Sequence, residues 1–440
     1  MWQASNVIVA QLNSLLSGGA ATAARRLHGQ LRRLGVDSRF LYRTGEAQTE
    51  LDDSYLAAQW SGSTLQKSLD TIGYRLQRQR WKRRLNKDGS NEYFSSPRSN
   101  PRTPWPPANF PPGQQPEILN LHWVAKFIDV PSFFASLPTG QPVVWTLHDM
   151  NPLTGGCHFS DGCTRFQQGC GNCPQLTSPK PIDQTSAAFA LKQRALEGVE
   201  LHVVAPSRWL AQTARDSPLL GSAARSVHHI PYGIDAAEFF PEDSAAARDQ
   251  LGLRQDAFVI AFGAADLSNR RKGAKPLLQA LGSLADSPRV QCIVFGGGEV
   301  PTASHPLPPI CSAGYLDSAA KKRQVFAASN LFVLPSLEDN LPLTGLESLA
   351  CGTPIVGFAA GGIPDYVRVG QTGRLAITGD ASDLAGQLSW MIEHPSAAAD
   401  MGRAARQMVL REYTGEREAS AYRSLYEQLS ARRCEPQRAA

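Results

Sequence analysis

Asp339 and Glu347 stand eight residues apart in the run Leu334-Pro-Ser-Leu-Glu-Asp-Asn-Leu-Pro-Leu-Thr-Gly-Leu-Glu-Ser-Leu-Ala-Cys-Gly-Thr-Pro-Ile-Val-Gly-Phe-Ala-Ala-Gly-Gly-Ile363. With about 1.5 Å of rise per helical residue, two acids so spaced lie roughly 10 Å apart. That separation suits the two ends of an extended ligand better than one proton shared between two carboxyls. Upstream, Arg271-Lys272-Gly273 follows an arginine at position 270. An arginine forks onto a phosphate, whereas a lysine acts on it as a point charge. A solvated basic loop is the plainer reading of the same residues. His148 closes the apolar run Val144-Trp-Thr-Leu before Asp149. Four of the eight cysteines fall in one short stretch, Cys157-x5-Cys163-x6-Cys170-x2-Cys173, with His158 inside it. The tight final pair is a metal-knuckle spacing, while the looser first pair departs from a standard ribbon. A structural zinc on these four cysteines, two disulfides and free thiols all stay open.

These residues need elements to place them. The run Asn330 to Leu334 reads as a short buried strand, Leu341 to Cys351 as a helix with Asn340 as its N-cap, and Pro354 to Phe358 as a second strand that meets Gly361-Gly362. Strand ends, a helix start and a diglycine converge there, which is where open α/β sheets bind nucleotides. The first half of the chain alternates in the same way. Strands are expected at 7–12, 40–42, 118–122, 143–147, 201–205 and 227–230, with a helix over 21–34 after Ser17-Gly18-Gly19-Ala20. Gly18 and Gly19 either let backbone approach a ligand or make a plain tight turn. The second half repeats the scheme at 258–262, 291–295, 331–334 and 354–358, and 398–431 reads as helical. Short strands with helices between them imply parallel sheets.

Taken together, the motifs resemble the donor-site signature of the retaining glycosyltransferases of GT-B type, family 4 (group 1), in a branch like the bacterial exopolysaccharide members. That signature has two glutamates at the spacing of Asp339 and Glu347, so this chain shortens the first acid by one methylene. Ile230-Pro-Tyr-Gly-Ile-Asp235 with Phe240-Pro241 matches the family's interdomain segment, and Arg271-Lys272-Gly273 its phosphate-binding segment. Asp266 stands near where the family has a further arginine. The resemblance covers nearly the whole chain and implies an α/β GT-B architecture of two Rossmann-like domains facing a cleft. On that basis residues 1–235 form an acceptor-side domain with a basic insertion at about 44–116 and the cysteine-rich loop at 151–175. Residues 236–410 then form the donor domain, and 411–440 a last helix returning to the first.

The same resemblance implies roles. Glu347 would take the ribose hydroxyls of a nucleotide-sugar, Asp339 the hexose hydroxyls, and Arg271 with Lys272 the diphosphate, assisted by backbone N–H groups at Gly361 and Gly362. His148 would sit near the transferring sugar, and Gly18-Gly19 near the ligand. The expected activity is a hexosyltransferase moving sugar, with retention, to a glycan or lipid-linked glycan in surface polysaccharide synthesis. A catalytically silent glycan-binding scaffold and a nucleotide-sugar epimerase are the rival readings. No Asp-x-Asp triplet occurs, so catalysis is expected to need no metal cofactor.

Bulk properties fit this. A chain of 440 residues holds two domains, each able to bury a core. A net charge of +5 suits an anionic ligand or membrane surface and does not by itself argue for nucleic acid. No run approaches the roughly 20 apolar residues of a span, and Met1 to Ala10 lacks the basic and apolar regions of a signal peptide. The expected setting is cytoplasmic, with peripheral attachment at the inner membrane surface open. The basic stretch Tyr74 to Lys87, with Leu76, Trp81 and Leu85 interleaved, reads as a solvated helix or as a membrane- or acceptor-docking element.

Overall fold

The computed structural model describes residues 7–43, 51–60, 72, 74–76, 79, 81, 83–86, 94–99, 103–110, 113–298 and 303–434. Of the basic stretch, residues 77, 78, 80, 82 and 87 lie outside the described residues; the described ones from 72 to 84 are helical.

The chain divides into two compact units, Met1–Pro231 with Glu418–Ala440, and Tyr232–Arg417. The first unit is built on β1 (Ile8–Asn13), β2 (Asp37–Tyr42), β3 (Tyr55–Ala57), β4 (Ile118–Leu121), β5 (Pro142–Thr146), β6 (Glu200–Ala205) and β7 (Ser226–His229). Their order across the sheet is β3-β2-β1-β4-β5-β6-β7, and every pairing is parallel. Leu12 stands opposite Leu41 on one side and Leu121 on the other. Val9, Leu12, Leu119, Leu121, Val143 and Val203 are fully buried, as expected of strands covered on both faces. The crossover helices carry local start signals. Asp183 and Ser186 form a capping box on Gln184–Leu196, and Ser207 caps Arg208–Asp216. Residues from 418 onward in the helix Gly415–Cys434 belong to this unit: Ala419, Tyr422, Leu425 and Tyr426 pack with Val9, Leu27 and Val144.

The second unit repeats the design with β8 (Phe258–Asp266), β9 (Val290–Gly297), β10 (Ile310–Gly314), β11 (Leu331–Leu334), β12 (Ile355–Phe358) and β13 (Gly373–Ala376). Their order is β10-β9-β8-β11-β12-β13, again parallel throughout. In each sheet the order reverses at one point, between β1 and β4 and between β8 and β11. A crevice opens beyond the carboxyl ends of strands at such a point.

Two expectations need correcting. The helix after β11 begins at Leu343, with Pro342 and not Asn340 at its N-cap. The residue before a proline is driven out of the α region, so Leu341 cannot be helical and the start moves past it. The expected helix over 398–431 is two helices, Pro395–Glu412 and Gly415–Cys434.

Candidate functional site

In the second unit the predicted acids and cations meet beyond the ends of β8 and β11. Arg271 and Lys272 lie on a short 3-10 turn, Arg270–Lys272, whose entry is fixed by the Asn269 side chain accepting from the Arg271 N–H at 3.0 Å. Gly273 ends the turn at φ +70° and opens the helix Ala274–Gly282. A Cβ there would overlap the Pro335 carbonyl, so only glycine lets this turn lie against the loop after β11. That loop is held by Leu337 N–H to Arg271 O at 2.8 Å and by Arg271 Nη1 to Glu338 O at 2.7 Å.

Asp339 is the hub. Its Oδ2 accepts from Lys272 Nζ at 2.6 Å and from Ser336 Oγ at 3.2 Å, with Arg271 Nη1 at 3.3 Å. Its Oδ1 accepts from the Asn340 N–H at 3.1 Å. Burial alone would raise this carboxyl. Lys272, then Arg271, and the hydrogen bonds outweigh burial and hold it below the usual carboxylate range. Gly361 lies at φ +53°, where a Cβ would overlap the Asp339 carbonyl, and Gly362 N–H donates to that carbonyl at 3.1 Å. The diglycine therefore packs against the backbone of the acid.

Glu347 sits within the helix Leu343–Ala350, its side chain 1% exposed, and receives Lys322 Nζ at 2.8 Å. Lys322, on the helix Ala319–Ala328, was not predicted. The two acids are thus served by different cations: Asp339 by Lys272 and Arg271, Glu347 by Lys322. Asp266 ends β8 and turns its Oδ1 to the Ser268 N–H and Oγ at 3.0 and 2.6 Å. A loop that pairs two buried acids with three cations can exchange those contacts for a ligand that carries both hydroxyls and phosphate.

In the first unit His148 lies just beyond β5, with its Nε2 2.9 Å from His122 Nδ1. Burial pulls His148 down to about 4, against a smaller upward pull from Asp149. Asp149 accepts from Trp123 Nε1 at 2.9 Å and lies 2.5 Å from His158 Nδ1, and His158 Nε2 meets Ser95 Oγ at 2.9 Å. Gly18 is at φ +91° at the start of the helix Gly19–Arg33, and added Cβ atoms at Gly18 and Gly19 would meet open space.

Cys157, Cys163, Cys170 and Cys173 are free thiols around one small cavity, with Phe94 and Gly156 also in its wall. Cys170 accepts from the Gly155 N–H at 3.2 Å. Burial pushes Cys157 up to about 12 and Cys170 up to about 11. Among the described residues, no three His, Cys, Asp or Glu side chains are arranged to hold a metal ion. The four cysteines expected to bind zinc therefore share a cavity without coordinating geometry. The insertion reaches this loop: Leu85 bridges Leu176, Phe94 bridges Cys157, and Trp81 stacks near Phe94 at 4.7 Å between ring centroids.

Comparison with known proteins agrees with this architecture. Residues 243–408 match the family Glycosyl transferases group 1. The D-inositol 3-phosphate glycosyltransferase of Kribbella flavida is 31% identical over 261 residues, covering 54% of this chain and 61% of that protein. A colanic acid biosynthesis glycosyl transferase of Escherichia coli strain K12, WcaC, whose own assignment is provisional, is 26% identical over 354 residues, covering 78% of this chain and 80% of that protein. The chain spans only 61%, 52% and 46% of three D-inositol 3-phosphate glycosyltransferases that it matches. Among solved structures, sucrose-phosphate synthase of Thermosynechococcus elongatus superposes with a TM-score of 0.64 at 18% identity, covering 97% of this chain and 100% of that one. HepE of Anabaena, solved with UDP and glucose, gives 0.60 at 16% identity, covering 96% and 99%. The fold is that of the GT-B glycosyltransferases, and the second unit carries the group 1 glycosyl transferase region. Among the described residues, no helix is long and apolar enough to cross a membrane.

Proposed function

We propose that the protein is a retaining hexosyltransferase of family 4 type, which moves a sugar from a nucleotide-sugar to a glycan or lipid-linked glycan in surface polysaccharide synthesis. The observation that carries this reading is the paired-acid arrangement of the second unit, with Asp339 against Lys272 and Arg271, and Glu347 against Lys322. In the proposed reaction Lys272 and Arg271 take the charge that builds on the departing diphosphate, the step at which preorganised charge is worth most. Glu347 accepts from the ribose hydroxyls and Asp339 from those of the hexose. The N–H groups of Gly361 and Gly362 belong to the same loop cluster. His148, kept neutral by burial, serves the sugar and acceptor side, with Gly18 and Gly19 opening the first crossover turn. These cations fill the place a divalent ion would take under a diphosphate, so transfer is proposed to proceed without a metal.

The test is transfer of labelled sugar from a panel of nucleotide-sugars, with and without Glu347→Gln. Loss of one such contact should cost about 100-fold in rate. Wild-type turnover in that variant would end the assignment of the donor site. Release of an epimerised free nucleotide-sugar would replace transfer with epimerisation, and inertness towards every donor would favour a glycan-binding scaffold. WcaC and HepE, with their polysaccharide and UDP-glucose associations in name, set the first donors and acceptors to try.

A further inference from the structure

The strands flanking the reversal point of the first sheet carry polar residues where burial is complete. Gln11, Asn120 and His122 are 0%, 0% and 3% exposed, and Thr146 on the adjoining strand is 2% exposed. Such groups are tolerated only when hydrogen-bonded, and here they form one chain with the last helix. The Tyr422 hydroxyl lies 2.8 Å from Thr146 Oγ1, which donates to Asn120 Oδ1 at 3.0 Å. Asn120 Nδ2 donates to Gln11 Oε1 and to Tyr426 Oη, both at 2.9 Å, and Gln11 Nε2 reaches the same Tyr426 oxygen at 3.4 Å. Gln11 Oε1 also lies 2.8 Å from His122 Nε2, and His122 Nδ1 lies 2.9 Å from His148 Nε2.

Directions follow from donor and acceptor counting. Thr146 spends its proton on Asn120, so Tyr422 donates to Thr146. With the Asn120 oxygen taken, its amide nitrogen faces Gln11, whose oxygen must then face both Asn120 and His122. An oxygen accepts only, so His122 carries its proton on Nε2 and leaves a lone pair on Nδ1. His148 must then donate from Nε2. We infer that His122 is a positioning residue that fixes His148 as its Nε2–H tautomer, with the lone pair on Nδ1, and that Gln11, Asn120 and the tyrosines of the last helix set His122 in turn. The value of this to catalysis rests on the role proposed above for His148; the tautomer itself does not.

Both rings are neutral at ordinary pH. Burial is the main cause for each; His148 and His28 add to the lowering at His122, and Asp149 opposes it at His148. Asp149 is the charged group on the element that carries His148. It is bound to Trp123 and His158 and so is already committed elsewhere.

The experiment is long-range proton–nitrogen correlation on the full chain labelled with nitrogen-15 histidine, with the signals assigned through His122→Asn and His148→Asn. At pH 7, His148 should show a protonated Nε2 and an unprotonated Nδ1, and should stay neutral to about pH 5. The opposite tautomer, a charged ring, or rapid exchange between tautomers would overturn the inference, whether or not a donor has been found. For activity, His122→Leu removes the acceptor and should lower kcat about tenfold with little change in KM for the nucleotide-sugar. His122→Asn places a carbonyl oxygen near the lost Nδ1 and should restore both the tautomer and most of kcat. Unchanged kcat in a folded His122→Leu chain with a disordered tautomer would overturn the positioning role. Wild type lacking transfer altogether, with the tautomer as stated, would overturn the proposed function alone.

Discussion

Replacing Lys322 with methionine removes the cation from Glu347 and keeps the length of the stem. The pair is 2.8 Å apart, with the carboxylate side chain 1% exposed and the lysine side chain 23% exposed. At an effective dielectric of about 20, the gross attraction at that distance is about 6 kcal/mol. Breaking a buried pair from one side typically costs about 3–5 kcal/mol, because a charge is left behind without its partner. Water reaches the lysine, so the loss should fall at the lower end, about 3 kcal/mol. For a domain of this size that lowers the melting temperature by about 6–12 °C. The assay is a double-mutant cycle read by thermal unfolding, using Lys322→Met, Glu347→Gln and the combination. Glu347→Gln no longer buries a charge, so the combined variant should recover more than half of the loss. A Lys322→Met chain as stable as wild type, or losses that add within about 0.5 kcal/mol, would show that the two groups are not coupled. The cycle also separates roles: Glu347→Gln in the Lys322→Met background should regain stability while still failing to use donor.

Lys272→Ala should weaken a nucleoside diphosphate by about tenfold or more and the nucleoside hardly at all, as measured by calorimetry, since the lost charge faces phosphate; equal loss for both ligands would place the lysine elsewhere. Stability should fall on mild acidification. His148 is held neutral down to about 4, and His122 also titrates well below 6.5. The unfolded chain therefore takes up protons first as pH drops below 6.5, and one pH unit below that value costs about 3 kcal/mol for the two rings. His148→Asn should flatten that fall between pH 6.5 and 5.5, and an unchanged slope would mean the ring is not kept neutral. A structural zinc in the loop from Cys157 to Cys173 is a proposal resting on four thiols around one cavity. It predicts about one zinc per chain, lost on Cys170→Ser with damage to acceptor use more than to nucleotide affinity; a zinc-free, folded protein would discard it.

The sequence carried the buried strands because parallel strands covered on both faces are apolar almost throughout, as Leu331 to Leu334 shows. It did not reveal β3, β10 and β13, which sit at sheet edges. Tyr55–Ala57 is three residues long, and Ile310–Gly314 alternates between half-buried and exposed positions, so neither leaves an apolar run to read. The spacing of Asp339 and Glu347 located the loop where the acids lie, and Arg271 and Lys272 do meet Asp339. Lys322 was invisible because it comes from a different helix in a Lys-Lys-Arg run that reads as solvated surface. The proline rule that moves the helix start from Asn340 to Pro342 was present in the letters and outweighed by the attraction of an asparagine cap. The cysteine spacing told which thiols gather and could not tell how the sulfurs point.

The two units solve the same topological problem with polarity in different places. In the second, β8 is apolar from Phe258 to Phe262 and β11 from Leu331 to Leu334, and the charges stand on the loops beyond them. In the first, β1 and β4 themselves carry Gln11 and Asn120 into the core, and His122 follows directly after β4. A loop charge can trade its partner for a ligand at modest cost, since water and other loop groups are at hand. A polar group inside a doubly covered sheet has only its fixed neighbours, and removing one leaves the next unsatisfied at about 1–3 kcal/mol. Substitutions among Arg271, Lys272 and Asp339 should therefore show first in ligand affinity. Those at Gln11, Asn120 and Tyr426 should show in stability and, through His122, in the protonation of His148. Gln11 is visible in the sequence as the one polar break in Val7-Ile-Val-Ala-Gln-Leu12. A polar side chain at the centre of a run too apolar to face water must have a partner, and that requirement makes such a position recognisable from the residue pattern itself.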